Sequence, residues 1–262
     1  MKKQASAIME IFNNVIIFIL GASIGSFLNV LIDRLPQGKS ILGRSQCDFC
    51  QKKLKWLDLI PIFSFIFLGG RCRYCHKKLS WQYPTVEVLR GLSFLLVFNL
   101  QFSVFSLIAI WGIVSCLIVI FFSDLKYHLI SDYLLLALFI FSLSYHLTSG
   151  VSISQYSYLF GSGLIVAAPI FLIYFLSRER AMGLGDVYLS AIIGFLLGWK
   201  AGFIALYIAF ITGAIFGIIM MILHKKKLKS RIAFGPFIVI GTTIMLFWGK
   251  KVFDIIKQIY GF

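Results

Sequence analysis

The sequence predicts an all-α polytopic membrane protein, with about eight transmembrane helices and one large cytoplasmic loop between the first two. Three observations predict that class. Of the 262 residues 60% are hydrophobic and only ten are acidic, too few charges to cover a soluble domain of this length. Apolar runs recur at the roughly 20 residues that a helix needs to cross the hydrocarbon core. Those runs, among them Val15–Leu20, Phe94–Phe98 and Ile204–Phe210, do not alternate apolar with polar residues as the strands of a membrane β-barrel do.

The first span covers about 11–32. Lys2 and Lys3 ahead of it give it the look of a signal peptide, but the apolar stretch exceeds the core of such a peptide and no small-residue cleavage site follows. It reads as a retained helix. Further spans are expected at about 83–100, 104–122, 129–148, 157–177, 186–198, 202–223 and 233–249, the second and sixth being short or partly polar. The chain thus divides into a first helix (1–32), a loop with four cysteines (33–82), a transmembrane bundle (83–249) and a tail (250–262). In the tail, Val252, Phe253, Ile256 and Tyr260 suit a short helix lying on the membrane surface. No internal repeat or low-complexity segment stands out.

The connections set the orientation. Segments 33–82, 123–128, 178–185 and 224–232 carry ten, one, two and five Lys and Arg, 18 of the chain's 25. The linker Thr148–Tyr156 carries none. Basic residues collect on the cytoplasmic side, where they also meet anionic lipid, so the 18 mark that side. The same rule explains the net charge of +15 without nucleic acid, which is not an expected partner. Eight spans place both termini outside, a position that Lys2 and Lys3 do not favour.

Within the polar loop, Cys47-Asp-Phe-Cys50 and Cys72-Arg-Tyr-Cys75 are separated by 21 residues. Two such knuckles each offer two thiolates from one tight turn, the ligand set of a tetrahedral structural zinc site. In a reducing compartment four such thiols favour metal over disulfides, and a loop of this size, with a small core of its own, needs such a staple. Cys116, alone in a span, reads as a packed apolar side chain, and His76 as solvated.

Ten carboxylates remain to be placed. Asp33, Asp48 and Asp58 in the loop, Asp254 in the tail, and Glu10 and Glu179 near span ends sit where water can reach them. Asp124 closes the third span, and Asp186 ends Gly183-Leu184-Gly185-Asp186 at the start of the sixth. The charge count puts both on the cytoplasmic side. Two carboxylates sharing a proton can divide the work of an aspartic protease, one as base toward water and one as acid toward the carbonyl oxygen. The bland alternative for either is a helix cap. Asp132, eight residues after Asp124 and about 80° away round an ideal helix, competes with Asp124 for the first role.

These residues resemble the type IV prepilin peptidase family. The resemblance rests on Gly25-Ser-Phe-Leu-Asn-Val30 with Arg34-Leu-Pro36 and on the cysteine loop with Asp58-Leu-Ile-Pro61, Gly70-Arg-Cys-Arg73 and Tyr83-Pro84 ahead of Glu87. It continues through Asp124 to Asp132, the Gly183–Asp186 motif and Phe234-Gly-Pro-Phe237. It implies a GxGD aspartic peptidase in the cytoplasmic membrane of a prokaryote. Asp124 and Asp186 would be catalytic, and Cys47, Cys50, Cys72 and Cys75 would hold the metal. Prepilin or pseudopilin precursors would lose a short basic leader, and S-adenosylmethionine would methylate the new N-terminus. One departure is Ser131, where the family usually has proline. Read from residues alone the methyl transfer has no glycine-rich cofactor loop behind it. Asn29, Glu87 and Arg90 could bind cofactor or substrate, or Glu87 and Arg90 could form a structural pair one turn apart. Two rivals remain: a GxGD protease of other membrane substrates without methylation, and a proton-coupled transporter, against which the lack of paired half-sequences speaks.

Overall fold

The computed structural model describes residues 2–100, 102–180, 182–223 and 233–260, with side chains from residue 8 to residue 259. In chain order the helices are α1 (Lys2–Arg34), α2 (Phe63–Phe67), α3 (Gln82–Asn99), α4 (Val104–Tyr127), α5 (Asp132–Thr148), α6 (Ile153–Ser177), α7 (Leu184–Leu197), α8 (Trp199–Ile222) and α9 (Gly235–Tyr260). Two 3-10 turns, Leu35–Gln37 and Trp56–Leu59, lie between α1 and α2. The only extended pairing among the described residues is two isolated bridges, Gln46 with Lys53 and Arg71 with Lys78. The chain forms two compact units, Met1–Val119 and Ile120–Phe262.

Eight crossings are not confirmed, although each of the eight expected segments forms a helix. By length and composition α1, α4, α6, α8 and α9 can cross a membrane, while α5 and α7 are apolar but shorter, at 17 and 14 residues. The expected span at 83–100 forms α3, but Gln82, Tyr83, Thr85, Glu87 and Arg90 make its first turns too polar to qualify. The sixth expected span, 186–198, forms the short α7, which stops at Leu197 because Gly198, at φ 78°, takes a backbone conformation that glycine adopts freely and that ends a helix. The tail is not a separate surface helix: α9 runs unbroken through Lys250 to Tyr260. The basic stretch 224–232 and the side chains of Lys2, Lys3 and Tyr260, all used in the expectations above, lie outside the described residues.

In the first unit α1 packs on α3 at glycine. A Cβ on Gly25 would lie 2.8 Å from the Glu87 Cα, and one on Gly91 2.5 Å from the Phe18 ring. In the second unit a Cβ on Gly194 would lie 2.6 Å from the Ser162 carbonyl oxygen, and one on Gly241 would collide with that of Ala205. Lipid offers no hydrophobic drive between helices, so close backbone approach at small residues supplies the packing. Large apolar side chains face outward, among them Phe12, Leu20, Phe105, Leu164, Phe175 and Tyr207, as in a bundle whose solvent is lipid.

The loop also contains a repeat that the composition hid. Cys47-Asp-Phe-Cys50-Gln-Lys-Lys-Leu54 recurs 25 residues later as Cys72-Arg-Tyr-Cys75-His-Lys-Lys-Leu79. Both copies fold alike. The Cys47 N–H donates to the Lys52 carbonyl and the Cys72 N–H to that of Lys77, each at 3.0 Å. Gln51 and His76, one after each pair, both turn at positive φ, 57° and 54°.

Candidate active site and candidate metal centre

Asp124 sits in the last turn of α4. Just beyond it the chain reverses: the His128 N–H donates to the Asp124 carbonyl at 2.9 Å, His128 lies at φ 53°, and the Ser123 hydroxyl donates to the Leu129 carbonyl at 2.8 Å. That reversal removes the continuous helix on which Asp124 and Asp132 were compared. Asp132 opens α5 and is exposed, whereas Asp124 is 6% and Asp186 9% exposed.

Each of the two buried carboxylates is held by one backbone N–H. Asp124 Oδ2 accepts from Gly235, the first residue of α9, at 2.9 Å. Asp186 Oδ2 accepts from Gly183 at 3.2 Å, so Asp186 does cap its own helix, and the positive end of α7 favours its negative charge. Among the described residues no donor reaches Oδ1 of either. The two side chains lie close enough for the charge of Asp124 to act on Asp186. Ile130 lies against both supporting glycines. A Cβ on Gly185 would be 3.1 Å from the Ile130 Cβ, and one on Gly235 3.3 Å from its Cδ1 and 2.6 Å from the Asp124 Oδ2. Phe234-Gly-Pro-Phe237 stands out in the sequence, but the task of Gly235 does not; nothing local ties a backbone N–H to an acid 111 residues away.

The four loop cysteines converge. Their sulfurs all lie within 4.8 Å of one another, and Cys47 and Cys75 are 3.8 Å apart. A tetrahedron with metal–sulfur bonds of about 2.3 Å has edges of about 3.8 Å, so the donor set has the size such an ion requires. Burial pushes the Cys47 thiol up. At Cys72 burial works in the same direction, but the backbone N–H groups of Cys75 and Tyr74 and the neighbouring thiols overturn it and pull that thiol down. His76 is exposed and stands outside the cluster; Cys116 is buried in α4.

The loop acids are not simply solvated. Asp58 takes the Arg73 Nε at 2.6 Å, the Tyr74 hydroxyl at 3.3 Å and the Lys55 N–H at 3.0 Å, which ties the second knuckle to the turn Trp56–Leu59. Asp33 and Asp48 both reach the Tyr83 hydroxyl, at 3.1 and 3.0 Å. The proposed Glu87–Arg90 pair does not form. Glu87 Oε2 instead accepts the Ile62 N–H at 2.7 Å, satisfying a backbone held at φ 65°. Arg90 donates to the Trp111 carbonyl at 2.7 Å and the Ser93 hydroxyl at 3.0 Å, with its guanidinium 4.1 Å from the centre of the Phe94 ring.

The bacterial peptidase A24 N-terminal domain matches residues 19–101, and the type IV leader peptidase family matches residues 111–218. The four cysteines fall in the first match and both buried aspartates in the second; Gly235 lies beyond it. The chain is similar to the prepilin leader peptidase/N-methyltransferase of Legionella pneumophila, at 32% identity over 93% of this chain and 94% of that protein. The proteins of the same description from Bacillus subtilis (strain 168) and Pseudomonas aeruginosa are 30% and 27% identical, covering 90% and 93% of this chain and 95% and 93% of their own length. No solved structure matches the chain significantly. A relative this similar along nearly its whole length, with two adjoining domains matched in order, means that the chain belongs to the type IV leader peptidase family.

Proposed function

We propose that this chain is an aspartic endopeptidase of a prokaryotic cytoplasmic membrane. It removes the short basic leader of prepilin or pseudopilin precursors at the cytoplasmic face and N-methylates the residue so exposed. The observation that carries the peptidase half is the pair of buried carboxylates, Asp124 and Asp186, each fixed through one oxygen and interacting through their charges. In the proposed reaction the two acids share one proton, because like charges brought together in a buried site resist double ionisation. The ionised member takes a proton from water as the water attacks the scissile carbonyl carbon, while the protonated member gives its proton to the carbonyl oxygen. Collapse of the tetrahedral intermediate returns a proton to the departing amine. That amine is the new N-terminus of the mature chain.

The four cysteines hold zinc, which cross-links the two knuckles of the 33–82 module and takes no part in hydrolysis. S-adenosylmethionine, when bound, supplies an electrophilic methyl group for the new amine. In the first unit Asn29 Oδ1 and Arg90 Nε are buried without hydrogen-bond partners among the described residues, an acceptor and a donor suited to a cofactor carrying an amino acid group. The rival readings, a GxGD protease of other membrane substrates and a proton-coupled transporter, leave the tetra-cysteine module without a task.

The test is mass spectrometry of a prepilin co-expressed with this chain. The expected product lacks the leader and carries one added methyl group at its N-terminus. A prepilin left at full length sinks the proposal; a product cut but unmethylated sinks its second half alone.

A further inference from the structure

Apart from the carboxylates and the cysteines, the first unit contains a cavity of about 560 Å³ whose charged lining is entirely basic: Arg34, Lys39, Arg44 and Lys53. No carboxylate pairs with any of the four among the described residues, where the one ion pair is Arg73–Asp58. Gathering four unpaired cations opposes their mutual repulsion, and the loop is built so as to do it. Arg34 donates to the carbonyls of Ser40, Ile41, Leu42 and Arg44 at 3.2 to 3.3 Å, folding the chain around its guanidinium. Gly43, at φ 113°, makes a bend closed to other residues. Arg34 is thereby spent on the loop, and Lys39, Arg44 and Lys53 remain exposed around the cavity.

The position of the cavity names its occupant. Arg34 is the last residue of α1, at the end of the stretch Ile8–Gln37 that is apolar and long enough to cross a membrane, so the loop begins where that stretch ends. Leu42, which lines the cavity, is 83% exposed, and its neighbour Ile41 42%. Apolar side chains beside a cationic ring suit the boundary between acyl chains and headgroups. We propose that this cavity binds the phosphate of an anionic phospholipid headgroup, with Lys39, Arg44 and Lys53 as ligands and Arg34 as the residue that positions them. The site is separate from the peptidase reading and does not depend on it.

The full chain purified in mixed micelles of phosphatidylglycerol and phosphatidylcholine tests this by native mass spectrometry of retained lipid. The chain is expected to retain phosphatidylglycerol preferentially. The variant Lys39→Gln/Arg44→Gln/Lys53→Gln should lose that preference by about fivefold per cation removed. The charge-matched variant Arg71→Gln/Lys77→Gln/Lys78→Gln, on the second knuckle, should keep it. Thermal melting of both variants reports whether each is folded. Excess inorganic phosphate at constant ionic strength should leave the lipid bound. No preference in the parent chain, equal losses in the two folded variants, or displacement by inorganic phosphate each overturns the proposal.

Discussion

At Asp124 and Asp186 the proposed chemistry rests on two atoms per residue: an Oδ2 held by main chain and an Oδ1 that meets no donor among the described residues. Asp124→Asn and Asp186→Asn keep shape and remove the charge. Each is expected to lower prepilin cleavage by roughly 10²–10⁴-fold, the usual contribution of an acid–base group, with normal membrane insertion; cleavage persisting in both would refute the pair. Cleavage should also fall on either side of a pH optimum, as acid protonates the base and alkali removes the shared proton. The supporting glycines should differ in weight. Gly235→Ala drives a methyl against the Asp124 carboxylate, which its own hydrogen bond holds still, whereas Gly185→Ala meets only the Ile130 side chain. Cleavage assays should show the larger loss for Gly235→Ala. That both aspartates would be buried could be expected from the sequence, because charge at membrane depth is costly and Gly-Leu-Gly-Asp is a short local pattern. Gly235 could not, because its contribution is a backbone N–H, which every residue but proline possesses.

Among the elements, the two knuckles are the clearest case of local sequence dictating local structure. Each Cys-x-x-Cys turn closes within six residues, so spacing alone announced it. The Glu87–Arg90 pair, equally plausible by spacing, failed because each side chain found a backbone partner from a distant segment. Cys47→Ser or Cys72→Ser is expected to bring bound zinc from one ion per chain to near none and to lower the melting temperature, read by elemental analysis and a thermal scan. Acid should do the same to the parent protein, because protons compete with the metal for thiolates; zinc content unchanged by both treatments would exclude the four-sulfur site. Helix ends were less legible than helix cores. The polar first turns of α3 keep it from qualifying as a span, and α9 runs on to Tyr260, past the expected end at 249, so an apolar run by itself does not report where its helix stops.

For the whole molecule, the fold class followed from composition, while the number of crossings did not. The charge bias that set the orientation drew five of its 18 residues from 224–232. It is tested by thiol labelling. A membrane-impermeant reagent is expected to reach Gly150→Cys in intact spheroplasts and Arg178→Cys only after permeabilisation; the reverse pattern would invert the topology. The bond from Gly235 to Asp124 also has a consequence in time. A ribosome emits Asp124 more than a hundred residues before the group that steadies it, so a nascent chain carries both acids in the bilayer well before its last helix exists. Proteolytic competence is therefore expected to await that last helix. A version stopped after Leu223 is expected to insert, bind zinc and leave prepilin uncut, so that membranes busy with synthesis hold no half-made protease.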